Sequence, residues 1–422
     1  MDLINALKIE NNNTTTENGA FAYTSTLNYN LDFFNNISSF RENQSACLKA
    51  FKKAFEEDKL LALKNLFYMR NIRGLGQGER EASKTIYKWL AKNYPTLMSL
   101  NIELIGEYGR IDDYYALLDT QLEDKAFELL KNQIDKDLVS EHPSLTAKWL
   151  KSCNTSSKIS RRMGQITAKH FGMKEKEYRK MLTALRKKID VTEVKMCDNK
   201  FDSIIYENVP SKAMLNYTSA FESHDSKRFD EYINQVLKNK AKINSSTLYP
   251  YEIISKYNLK YGNSFYEPYN YNLALESQWN ALPNYVTDSS STLVVADTSG
   301  SMKGKPLNVA LSLAIYFARL NKGVWNDKMI TFSSKPHFID FVGCKSLYDC
   351  LGKIPCINEN TNIEKVFDLV LNAAINNHVP VENMVKNIII ISDMQFDKFD
   401  KKRKNKISFT DYIKEKYEKA GY

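Results

Sequence analysis

A chain of 422 residues, 43% of them hydrophobic, is long enough for two or three domains and too apolar to be a disordered tail. No apolar run reaches the roughly 18–20 residues of a membrane-crossing helix, and the run from Ile388 to Ile391 is strand-sized. The net charge of +9 is local: residues 151–200 hold fourteen Lys/Arg against five Asp/Glu, a footprint shared by polyanion binders and by solvated helix faces.

Residues 1–30 begin Met1-Asp2-Leu3 and pass into an Asn/Thr-rich stretch, Asn11 to Thr16, with neither the basic start nor the apolar stretch of a secretory signal. They predict a flexible polar arm on an intracellular, cytoplasmic protein. Residues 31–244 read as an all-α domain of short-linked amphipathic helices. Leu60, Leu61, Leu63, Leu66 and Phe67 share one face, and Ile86, Trp89 and Leu90 continue the next helix to the Asn93-Tyr94-Pro95 break. Further helices are predicted over 114–118, 126–138, 178–189 and 226–238. This succession fits a solenoid or an irregular bundle, although no residue-level repeat is present.

Residues 245–286 are aromatic and Pro-punctuated, and predict an irregular connector whose aromatics pack a domain joint rather than stack bases. From 287 to 422 strands and helices alternate. Strands are predicted at Thr292–Ala296, Lys328–Phe332, His337–Phe341 and Asn387–Ile391, with helices over 306–320, 362–375 and 412–419. That is the pattern of a Rossmann-like α/β domain. The six cysteines form no C-x-x-C pair, which favours buried free thiols over zinc.

The first of these strands runs into Asp297-Thr298-Ser299-Gly300-Ser301, a D-x-S-x-S loop at the carboxyl end of a strand, where open α/β sheets place ligands. Alternate residues of an extended loop converge, and one carboxylate with two hydroxyls suits a small hard cation. Gly300 is expected to supply the tight turn. Thr361 and Asp393 add oxygens from later strand-end loops. An N-cap cluster would use the same residue types.

This set resembles the metal-ion-dependent adhesion site of von Willebrand factor A domains. The resemblance implies Mg2+ or Mn2+ held by Ser299, Ser301 and Thr361 directly or through water, with Asp297 and Asp393 acting mainly through water. It leaves one position for a partner's carboxylate. Such domains usually have six strands and only four are placed here, so the domain is expected to be truncated or completed by a partner.

A second resemblance spans about residues 60–400. It is carried by Phe67 to Gly74, Gly76 to Arg80, Ala147 to Leu150, Tyr206 to Ser211 and Ile391 to Asp397. These blocks resemble DUF2828-type proteins, whose architecture is similar to that of the Ro autoantigen (TROVE) proteins, in which HEAT-like helices bind RNA and an A domain closes the ring. RNA is therefore the expected partner. Candidate phosphate contacts are Arg70, Arg73, Arg80, Lys158, Arg161, Arg162, Lys169, Arg179, Arg186, Lys187 and Lys188. The alternative is a protein-assembly module whose metal captures a partner carboxylate. Catalysis ranks third, because no Ser-His-Asp or Cys-His set is evident and Gly74-Leu75-Gly76-Gln77-Gly78 lies between helices rather than after a strand.

Overall fold

A computed structural model describes residues 3, 7, 11–15, 21–73, 76–189, 191–257, 260–261, 266–268, 270–286, 291–332, 336–355, 362–394, 396 and 409–422. Two compact units emerge: Ser25–Lys200, and Met1–Thr24 together with Phe201–Tyr422. The division falls at 200/201 rather than at the 244/245 boundary drawn from sequence. The reason is packing: Leu215, on a helix the sequence was read as placing in the all-α domain, belongs to the core of the α/β unit.

The Ser25–Lys200 unit is a succession of helices. They are α1 (Tyr29–Asn35), α2 (Gln44–Glu57), α3 (Lys59–Arg70), α4 (Glu81–Asn93), α5 (Pro95–Leu100), α6 (Leu104–Tyr108), α7 (Glu123–Val139), α8 (Thr146–Trp149), α9 (Lys158–His170), α10 (Glu175–Lys188) and α11 (Thr192–Cys197). The stretch 114–118, read as a helix, falls mostly within a 3-10 turn series, Ile111–Leu117. Local chemistry sets the boundaries. Asn43 and Asp58 cap α2 and α3 through the backbone N–H groups of Ala46 and Leu61, and Pro95 opens α5 where its missing N–H costs nothing. One apolar core runs through the unit, from Phe33 and Phe51 to Tyr178 and Leu185.

The second unit begins with a short antiparallel pair, β1 (Asn13–Thr15) and β2 (Phe21–Tyr23), inside the segment expected to be a flexible arm. Helices α12 (Ser211–His224) and α13 (Ser226–Leu237) follow. The supposed connector then contains α14 (Pro250–Lys256), the paired β3 (Lys260–Tyr261) and β4 (Tyr266–Glu267), and α15 (Leu273–Asn280). It is not irregular linker: Ile253, Ile254, Tyr257 and Leu275 are buried in the same core as the sheet. Its Pro-Tyr composition hid this, since Pro250 occupies the first turn of α14, where proline is at home.

The sheet has the strand order β7-β6-β5-β8, formed by β5 (Thr292–Asp297), β6 (Lys328–Phe332), β7 (His337–Asp340) and β8 (Asn387–Ile391). β5 pairs in parallel with β6 and β8, and β7 is antiparallel to β6, so the sheet is mixed. Every residue of β5 is buried, and its alternate side chains serve two cores. Val294 and Ala296 pack with α16 (Lys305–Leu320) and α17 (Leu347–Gly352), whereas Leu293 and Val295 meet Val366 of α18 (Glu364–Asn376). A last helix, α19 (Phe409–Lys419), ties to α18 through Tyr412 and Lys416, which both reach Glu364. Among the described residues β8 has one partner strand, β5, and no helix is long and apolar enough to cross a membrane. Cys47, Cys153, Cys344 and Cys350 are buried free thiols, whereas Cys197 is exposed; Cys356 lies outside the described residues.

One buried carboxylate joins three helices of this unit. Glu276 on α15 accepts from the backbone N–H groups of Leu347 (2.8 Å) and Tyr348 (3.0 Å) at the start of α17 and from the Tyr257 hydroxyl (2.5 Å). Burial, reinforced by this bond to a carboxylate, pushes the Tyr257 phenol well above its ordinary range. Glu276→Ala leaves three donors unanswered in the core and is expected to cost about 3 kcal/mol, read by urea denaturation. A loss below about 1 kcal/mol would show that the donors find other partners.

Candidate functional site

The α/β unit presents the D-x-S-x-S loop at the carboxyl end of its central strand. Asp297 is the last residue of β5 and fully buried. Its carboxylate accepts from the backbone N–H of Ser299 (2.9 Å) and from the Ser392 hydroxyl (2.8 Å), which sits just past β8. The hydroxyls of Ser299 and Ser301 lie side by side, 3.1 Å apart and hydrogen-bonded to one another. Asp393 follows Ser392 at the end of the neighbouring strand and is exposed. The loop thus brings Asp297, Ser299, Ser301 and, from the adjacent strand end, Asp393 to one edge of the sheet. Thr361 lies outside the described residues.

Burial pushes the Asp297 carboxyl above its usual range and the Asp393 charge adds to this, opposed by the bonds from Ser299 and Ser392. A dication would relieve both effects. The described donor set is all oxygen, two carboxylates and two hydroxyls, the kind of ligand a hard cation such as Mg2+ or Mn2+ would take rather than zinc. Among the described residues no group of three or more His, Cys, Asp or Glu lies together, so a cation here would depend on the hydroxyls. The turn does not need Gly300, whose missing Cβ would meet nothing within 4 Å; Gly304 is the residue with positive φ (+91°), leading the loop into α16.

The helical unit carries the basic segment on α9 and α10. On α10, Tyr178, Met181, Leu182 and Leu185 turn inward. The opposite face carries Lys176, Arg179, Lys180, Thr183 and Lys187, spaced at three and four residues so that they line one side of the helix. With Ser152, Asn154 and Arg186 they border a cleft of about 760 Å³ that contains no acidic side chain. Lys176, Lys180 and Asn154 were absent from the sequence-derived candidates, although the helical spacing of 176, 179, 180, 183 and 187 was there to be read. Among those candidates Lys158, Arg162 and Lys169 are exposed on α9, and Arg179 and Lys187 are exposed on α10.

The other candidates are tied to the fold. Arg70 is withdrawn as a phosphate contact: its side chain is 2% exposed and its Nε donates to the fully buried Asp113 (2.7 Å). Arg73 donates to the Glu107 carbonyl at the end of α6 (3.0 Å), and Arg161 to the Thr155 carbonyl (2.9 Å). Lys188 reaches the Leu138 carbonyl. Arg186 holds the carbonyls of Ala147 and Leu150 (both 2.8 Å), keeping one fork edge on the backbone while lining the cleft. Arg80 donates to Asp112 (2.6 Å).

The sequence blocks singled out at the start converge on these locks. Arg70 and Arg80 hold Asp113 and Asp112, and Glu79 accepts from Arg41. Trp149 lies under the Arg110 guanidinium, 3.8 Å from ring centroid to Cζ. Tyr206 donates to Asp225, which Arg228 also holds. Ser392 steadies Asp297.

The class defined so far is a mostly helical unit joined to an α/β unit with a mixed four-stranded sheet and an oxygen-rich loop at its central strand. A domain of unknown function, DUF2828, matches residues 16–141 and 144–292, and the chain belongs to that family. A second domain of unknown function, DUF7788, matches residues 291–422. The chain is also similar to the uncharacterized protein L728 of Acanthamoeba polyphaga mimivirus, with 28% identity over 455 residues covering 96% of this chain and 77% of that protein.

Proposed function

We propose that the protein is a non-catalytic RNA-binding protein of Ro-like type, whose α/β unit is a von Willebrand A-type domain that takes a divalent cation for partner engagement. The observation that carries the RNA reading is the acid-free cleft on α10, which five cationic side chains border. A phosphate backbone would lie along Lys176, Arg179, Lys180 and Lys187, releasing counterions, while Ser152, Asn154 and Thr183 offer hydrogen bonds that carry little sequence preference. Photo-crosslinking of the full chain to single-stranded RNA, followed by peptide mapping, is expected to mark residues 152–188. Crosslinks confined to the α/β unit would contradict the reading.

The cation site rests on the adjacent Ser299 and Ser301 hydroxyls beside buried Asp297. Its residues are Asp297, Ser299, Ser301 and Asp393, with Thr361 supplied by the resemblance. The cation would offer an open position to a partner's carboxylate, and that geometry also supports the second reading, a protein-assembly module. Ser301→Ala is expected to weaken Mn2+ binding by roughly tenfold or more, measured by calorimetry on the full chain. Unchanged affinity would remove Ser301 from the site.

A further inference from the structure

A second group of cations in the helical unit is built differently from the α10 cleft. Asp112 is fully buried, and three cations meet on it. Arg110 forks onto it through Nε (2.9 Å) and Nη2 (2.8 Å), Arg80 Nη2 donates at 2.6 Å, and Lys151 Nζ at 3.1 Å. Burial would raise the Asp112 carboxyl, but the Arg110 bonds and the surrounding cations hold it at about 2. It therefore stays charged and keeps the three heads in fixed positions. They are not sealed in: Arg80, Arg110 and Lys151 keep 37%, 25% and 27% of their side-chain surface open.

The charge around Asp112 does not balance. Asp113 is held by Arg70, which is buried with it, and its second oxygen lies 3.7 Å from Arg80 Nε. Four cations, Arg70, Arg80, Arg110 and Lys151, thus face two carboxylates, Asp112 and Asp113, a surplus of two charges. The nearest other acid, Glu81, stands 3.7 Å from Arg80 and is 61% exposed, so solvent screens most of its effect. Donor capacity is also left over. Arg80 Nη1 and Arg110 Nη1 have no acceptor among the described residues, and the Lys151 ammonium has used one of its three hydrogens. Arg110 also makes a cation–π contact with Trp149, its Cζ 3.8 Å from the ring centroid, which helps hold the guanidinium in place. Gly164 sets the height of Lys151: a Cβ there would fall 2.6–2.8 Å from the backbone of Lys151 and Ser152, so only glycine lets α9 sit this close.

We infer that Arg80, Arg110 and Lys151, held on Asp112 beside Trp149, form a site for a phosphomonoester, the terminal phosphate of an RNA strand. Two surplus charges match the near-dianionic charge of a phosphomonoester and exceed the single charge of an internal phosphodiester. Two guanidinium edges and an ammonium supply donors for its oxygens. The choice of RNA as the source of the phosphate rests on the proposed function; the phosphate site itself does not.

The test compares one single-stranded RNA sequence carrying a 5′-phosphate, a 3′-phosphate or hydroxyls at both ends, bound to the full chain, with inorganic phosphate and a nucleoside monophosphate as competitors. The expected result is about tenfold tighter binding of one phosphorylated end, erased by millimolar inorganic phosphate, and a preference ratio near one in Lys151→Gln. Competition on the unaltered protein needs no variant, so a misfolded Lys151→Gln would not remove the test. Equal affinity for all three RNAs overturns the site while leaving RNA binding intact. Binding of the nucleoside monophosphate without any RNA binding supports the site and overturns the RNA reading. Absence of both overturns the two together.

Discussion

Asp113→Ala is expected to destabilise the helical unit by about 3–5 kcal/mol, a large share of the 5–15 kcal/mol that holds a typical domain folded. The substitution strands the Arg70 guanidinium at 2% exposure with no counter-charge, and it removes the acceptor for the Arg110 backbone N–H (2.9 Å). A Cβ on Gly109 would stand 2.5 Å from Asp113 Oδ2, which shows how closely the backbone is packed on the pair. The companion prediction separates charge from packing. Arg70→Met combined with Asp113→Ala removes both ions and should lose less stability than Asp113→Ala alone. Urea denaturation followed by circular dichroism measures both. A single-variant loss under 1 kcal/mol would mean that the pair is not the lock described here.

The second large effect concerns RNA. Replacing Arg179, Lys180 and Lys187 together by Gln is expected to lower affinity for single-stranded RNA on the order of 100-fold at 0.1 M salt. The slope of log affinity against log salt should fall by about 2, since each lost phosphate contact on a single strand contributes about 0.7. All three side chains are exposed on the outer face of α10, opposite its buried stripe, so the variant should fold as the parent does. Fluorescence anisotropy across a salt series reads both numbers. An unchanged slope would move the phosphate contacts elsewhere on the chain.

How much of this was legible in the sequence depended on how local each signal was. β5, β6 and β8 are short apolar runs bounded by turn residues, and the structure places them within a residue of expectation. The D-x-S-x-S loop and Asp393 were equally legible, because the end of a parallel strand fixes where such a loop must lie. Helices α14 and α15 were not. Their aromatic and proline content reads as punctuation, and only packing against the sheet reveals their buried face. The misreading of Arg70 has the same origin. Its partner is 43 residues away, and nothing near Arg70 says that its charge is answered inside the core. Conversely, Lys176 and Lys180 carry a helical spacing with Arg179, Thr183 and Lys187, but the helix expected over 178–189 begins three residues earlier, at Glu175, and so takes in Lys176 as well.

The most direct test of the central claim is RNA binding by the full chain across a salt series, run once with Mg2+ and once with EDTA. The account predicts binding that falls steeply with salt and is unchanged by EDTA, since the basic cleft and the cation loop lie in different units. Absence of binding above a nonspecific level at physiological salt would contradict it and leave cation-mediated protein assembly as the better reading.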